Sequence, residues 1–152
     1  MSFTDDLAKE ADNAILAAQE VHRVTAIQLF SAVILSTPVG NPDLWQSEYI
    51  PVGYTGGSAR ANWQLSFDQP IDSTTSNTDD GSSTANNIAR KINSGKARDQ
   101  YILSNNLPYI NRLENGWSTQ APTGMVAKNA IRIRAQIPNF ERAANKKYGV
   151  KN

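Results

Sequence analysis

The chain opens on a helix longer than the domain that carries it, running from about Thr4 to Leu35. Ser2 or Thr4 can cap it, and Asp5 and Asp6 sit where acidic residues favour a helix start. Leu7, Ala11, Ala14, Ala18 and Val21 recur at helical spacing, while Asp5, Lys9, Asp12, Gln19 and Arg23 form a polar strip interrupted by Leu16. At about 1.5 Å per residue the helix is roughly 48 Å long, more than the diameter of a domain of this size. The run Ile27 to Leu35 is apolar nearly all round, so the second half is expected in the core. The first half is expected to project or to pack on a partner. Thr37-Pro38 stops the helix, because the residue before proline is pushed out of the helical region.

Beyond the stop, residues 38–60 are rich in Pro and Gly and hold Trp45, Tyr49 and Tyr54, which reads as an ordered loop lying on the core or on a partner. Trp63, Leu65 and Phe67 alternate with Asn62, Gln64 and Ser66, the period of a half-buried strand. Residues 71–83 are almost wholly polar and are expected to be mobile. Thr84 is placed to cap a short helix from Ala85 to Ile92, and Gln100 to Ser104 reads as a second strand. After an Asn-, Gly- and Pro-rich stretch over 105–122, a last element begins at Thr123. Val126, Ala130, Ile133, Ile137, Ala144 and Tyr148 fit a helix, but residues 131–137 alternate and end at Pro138, which fits a strand equally well. Length favours the helix, bent or interrupted by Pro138. There are no internal repeats. The fold expected is α+β over one domain, 1–152: a small, mostly antiparallel sheet packed against a long N-terminal and a C-terminal helix.

Composition removes several function classes. With no Cys there is no disulfide framework, thiolate zinc site or cysteine nucleophile. The acidic start does not resemble a secretory signal, and the longest apolar run falls far short of the roughly 20 residues a membrane span needs. Ser, Thr, Asn and Gln make up 46 of 152 residues and charged residues only 19%, so much of the surface must be uncharged amide and hydroxyl. The net charge of +1 gives no global signal for nucleic acid. Its distribution is uneven, however: residues 1–20 carry a net −4 and residues 123–152 a net +6. Such ends can complement each other between neighbouring copies, as in a head-to-tail ring, or can simply suit the helix dipoles.

Chemistry is poorly supplied. His22 is the sole histidine and has neither a nucleophile nor an orienting carboxylate beside it in sequence. Asp79-Asp80-Gly81 lacks the alternating ligands and closing Glu of a calcium loop. Gly56-Gly57-Ser58 lacks the Gly-Lys-Ser/Thr of a phosphate-binding loop. Glu114 reads as pairing with Arg112 or capping backbone amides rather than as a base. Lys128, Arg132, Arg142 and Lys146 can line one helix face, which suits a protein neighbour as well as nucleic acid.

Two stretches resemble the tail-completion and neck protein family of tailed bacteriophages. The first is Thr37-Pro38-Val39 followed, after an insertion, by Tyr54-Thr55-Gly56-Gly57-Ser58-Ala59-Arg60-Ala61-Asn62-Trp63. The second is Ile102-Leu103-Ser104-Asn105-Asn106-Leu107-Pro108-Tyr109, then Arg112-Leu113-Glu114-Asn115-Gly116-Trp117-Ser118 and Gln120-Ala121-Pro122-Thr123-Gly124-Met125-Val126. The resemblance covers about residues 20–145, and the order of elements agrees with it. The longer loop 40–53 and the small Ala59 depart from the family pattern. The resemblance implies a non-enzymatic virion protein, without cofactor or metal, that forms a ring, most often sixfold, at the head-to-tail junction. Its implied neighbours are a head-closure or connector protein and the tail tube or terminator protein; its implied location is the virion, with the host cytoplasm during assembly. DNA would pass through the ring without sequence-specific contact. Trp45, Tyr54, Arg60, Trp117, Lys128, Arg132 and Arg142 are the interface residues expected. A tail-terminator or head-closure role shares this logic, and a small basic nucleic-acid-binding protein is the alternative from another class.

Overall fold

In a computed structural model, residues 2–41, 43, 52 and 55–151 are described. The order of elements is α1 (Phe3–Ser36), α2 (Ser58–Ala61), β1 (Gln64–Ser66), α3 (Ser82–Ser94), β2 (Ile102–Ser104), α4 (Ile110–Glu114) and α5 (Val126–Tyr148). The α+β expectation holds: the chain has two long helices and a small two-stranded antiparallel sheet. Of the two candidate caps for α1, Ser2 is the one used. Its hydroxyl accepts from the Asp5 amide at 3.2 Å, and the Asp5 carboxylate accepts from the Ser2 amide at 3.1 Å. The Ser2 hydroxyl also donates to the Asp5 carboxylate at 2.8 Å, and that bond first, with the Ser2 amide second, holds the Asp5 carboxyl below its usual pKa.

The other end of α1 is closed from a distance. Thr37 leaves the helix in extended geometry, and its hydroxyl donates back to Val33 O at 2.7 Å. The last turn of α1 contains no basic residue, and Arg60 on α2 supplies one. Its Nε donates to Thr37 O at 2.6 Å, its Nη2 to Leu35 O at 2.9 Å and its Nη1 to Asp80 O. A guanidinium there satisfies orphan carbonyls and faces the negative end of the helix dipole.

The core lies on the second half of α1. Ala26, Phe30, Val33 and Ile34 pack with Trp63, with Ala121 and Met125, and with α3 through Ala85, Ile88 and Ile92. The last three share one face at helical spacing. In the first half, every residue from Ser2 to Asp12 is exposed, and Ala17 is the first buried one. β1 pairs antiparallel with β2 in the register Leu65 to Leu103. Both strands are shorter than the alternation suggests. Asn62 follows α2 as its cap instead of opening the strand, its side chain donating to Ser58 O at 2.8 Å.

α5 runs antiparallel along α1. Near one end, buried Asn129 donates to Ser36 Oγ at 2.8 Å; near the other, Lys147 Nζ donates to the Glu20 carboxylate at 3.0 Å. The helix is continuous through residues 131–137 and past Pro138. Asn129, Ile133 and Ala144 are buried and Ile137 is half-buried, whereas Ile131 is 74% exposed. A strand would have put Ile131 and Ile133 on one face. Pro138 is tolerated because it lies on the solvent side, where the carbonyl it leaves unpaired can reach water.

Of the segment 71–83, expected to be mobile, residues 71–81 run as a strap beside β1 and the last two open α3. Amide side chains hold the strap: Asn62 exchanges two bonds with Thr75, and Gln64 Nε2 donates to Ser73 O at 2.7 Å. Asn106 Nδ2 bridges to Ile71 O and Ser73 O. α3 starts at Ser82, before the expected Ala85, because the Asp80 carboxylate accepts the Ser82 amide at 2.9 Å and Asp79 accepts the Gly81 amide and the Thr84 hydroxyl. Thr84 thus lies within the first turn of α3 rather than at its cap.

Candidate assembly surfaces

The motif segments meet one another in space. Trp63 Nε1 donates to Thr37 Oγ1 at 2.9 Å beneath the end of α1. The Gln120 amide clamps Val39 at two points, accepting its N–H at 3.2 Å and donating to its carbonyl at 2.8 Å. Asn105 Nδ2 donates to Ala59 O at 2.9 Å. Gly57 has φ +102°, and a Cβ there would strike the Asp79 backbone, which glycine alone avoids. The two stretches, bonded across 46 and 81 residues of sequence, therefore form one joint between α1, the sheet and the start of α5.

Glu114 belongs to this joint as a cap, one of the two roles the sequence suggested. α5 has no side-chain cap at its own Met125, and Glu114 reaches in from α4. Its Oε2 accepts from the Met125 and Val126 amides at 2.7 and 2.8 Å, and its Oε1 from Ala127 at 3.0 Å. Partial burial pulls the Glu114 pKa upward. The three amide donors and nearby Lys128 outweigh that pull and leave it below the usual glutamate value.

The residues expected at interfaces have different settings. Arg60 is spent on the end of α1, facing carbonyls of its own chain. Trp117 is 71% exposed, with the Arg112 guanidinium 5.0 Å from its ring centroid. Lys128, Arg132 and Arg142 are brought together on α5, and with Lys146 they form a stripe on the side away from buried Asn129, Ile133 and Ala144. Trp45 and Tyr54 lie outside the described residues, as does Tyr49.

The start of α1, expected to project or to pack on a partner, carries an apolar strip that the sequence reading did not assign residue by residue. Phe3 is 83% exposed, and Leu7 and Ile15 are 55% exposed each. With Ala11 they form an apolar strip at four-residue spacing along the projecting start of α1. The excess length of the helix was the signal for it.

Among the described residues, no three His, Asp or Glu side chains come together as a metal site, and no helix is long and apolar enough to cross a membrane. His22 lies 4.8 Å from the ring of Tyr101, centroid to centroid. A shallow groove of ≈ 330 Å³ between α1 and α5 is lined chiefly by Ala14, Ala17, Ala18 and Val150, with Glu141 its one titratable side chain. No protein-family model matches the chain, and comparison with curated proteins and with solved structures finds no match.

Proposed function

We propose that this chain is a structural subunit that closes a ring at the head-to-tail junction of a tailed bacteriophage, in the neck or tail-completion position. The observation that carries the assembly reading is the start of α1. It extends beyond its own core and presents Phe3, Leu7 and Ile15 to solvent, and an apolar strip of this kind is stabilised by burial against another protein. The resemblance of the Thr37–Trp63 and Ile102–Val126 segments names the assembly. The contacts between those segments support treating them as one fold-defining set. Function in such a protein is docking: a rigid joint holds α1 and α5 at fixed angles, so the surfaces they carry repeat identically from copy to copy.

A nucleic-acid-binding reading rests on the basic stripe of α5, and one experiment separates the two. In sedimentation over a range of concentrations, the assembly reading expects a discrete closed oligomer that shows no steep salt-dependent DNA binding. A monomer or dimer whose DNA affinity falls by orders of magnitude between about 50 and 200 mM salt would overturn it.

A further inference from the structure

We infer that the projecting start of α1 from one copy docks on the basic outer face of α5 from a second copy. This deepens the assembly reading and rests on it, since it names the two surfaces that would join neighbouring subunits. The first surface is the strip Phe3, Leu7, Ala11 and Ile15. Asp6 and Glu10 follow Phe3 and Leu7 by three residues and so border it. The second is the stripe Lys128, Arg132, Arg142 and Lys146, which runs beside the 74% exposed Ile131 and the exposed Ala135 and Pro138. The first surface has an acidic border; the second has four basic residues beside its apolar centre and one acid, Glu141, on the side of the groove towards α1.

Geometry sends this complementarity between copies. Within one chain α5 already lies along α1 through its opposite face, burying Asn129, Ile133 and Ala144, so its basic stripe points away from α1. The start of α1 cannot reach the stripe of its own α5, but it can reach that of another copy. The three ion pairs among the described residues involve other cations: Arg23 and Lys147 with Glu20, at 3.6 and 3.0 Å, and Lys151 with Glu10 at 3.6 Å. Among the described residues neither Arg142 nor Lys146 forms an ion pair, and Arg142 hydrogen-bonds Asn139 of its own helix. Because the two surfaces differ, the contact is heterologous, and it propagates until the rotation per subunit closes a ring.

Charge reversal tests the pairing on the full chain by sedimentation at about 100 mM salt. Asp6→Lys with Glu10→Lys reverses the helix start, and Arg142→Glu with Lys146→Glu reverses part of the stripe. All four positions are exposed, so each variant should keep the wild-type circular dichroism and melting behaviour closely. Each variant alone is expected to lose at least about tenfold in self-association, because like charges then face each other. An equimolar mixture is expected to recover it, since each reversed helix meets a reversed stripe.

Folded variants that assemble as the wild type does, or a mixture that stays apart, would overturn the pairing while leaving the assembly reading in place. DNA binding that disappears with Arg142→Glu and Lys146→Glu, in a chain that does not self-associate, would overturn both.

Discussion

Replacing Trp63 with Ala should cost about 3–5 kcal/mol, the range for removing a large buried aromatic, and should lower the melting temperature by roughly 10 °C or more. Trp63 is only 7% exposed and packs among Phe30, Val33, Ile34 and α3, so its removal opens a cavity against the most buried part of α1. Its indole N–H also holds Thr37, whose hydroxyl in turn closes the last turn onto Val33 O. Thr37→Val therefore leaves a buried indole donor unpaired and should cost about 1–3 kcal/mol. In a cycle with Trp63→Phe, the double variant should lose less than the sum of the two single changes. Urea unfolding measures all three. Additive losses, or a Trp63→Ala cost below about 1 kcal/mol, would mean that the helix stop and the strand are not joined in this way.

Glu114→Ala should cost about 2 kcal/mol at neutral pH, because one side chain serves three amides at the start of the 23-residue α5. Glu114→Gln should recover part of this, since it keeps acceptor atoms but loses the charge favoured at a helix N-terminus. The pH dependence follows from the lowered pKa. The folded state holds the carboxylate below the usual glutamate value, so the stabilisation is complete at neutral pH, above the unfolded pKa. It is lost as pH falls through the folded value. The stability gap between wild type and Glu114→Gln should accordingly close on going from about pH 6 to about pH 3. A gap unchanged over that range would show that the charge of Glu114 contributes nothing.

These two side chains also show where the sequence was legible. Thr37-Pro38 marked the end of α1 because a proline constrains its predecessor locally, and the structure ends the helix at Ser36. The strand pair and its place between the helices came from alternation around Leu65 and Ile102, and β1 and β2 are found there, though only three residues long each. Helix α5 was ambiguous because Ile131 continues an apolar alternation that a helix breaks; packing decides, burying Ile133 and turning Ile131 out. Capping by Glu114 was legible, but the helix it caps was hidden, as was the whole role of Arg60. Arg60 lies 25 residues beyond the carbonyl of Leu35 that it serves, and Glu114 lies 11 residues before Met125. Nothing local in either segment marks such a pairing.

The hydrogen-bond partners of residues 71–81 were hidden for a related reason. The segment's own side chains are too small and polar to bury much surface, which reads as disorder. What holds it are amides on other elements, Asn62, Gln64 and Asn106, bonding to its backbone carbonyls. The surfaces proposed for assembly were legible in outline, from a helix longer than its domain and from opposite charge at the two ends. Only the folded arrangement shows that the basic face of α5 points away from the acidic start of α1.

The most direct test of the proposed assembly role is electron microscopy of lysates from the phage that this proposal requires, with a stop codon at Trp45 of this chain. Filled heads and tails lying separate, or heads with defective tails, are the result expected of a junction subunit, and the defect seen separates joining from tail termination. Normal infectious particles would contradict the account and return the basic stripe of α5 to consideration as a nucleic-acid surface.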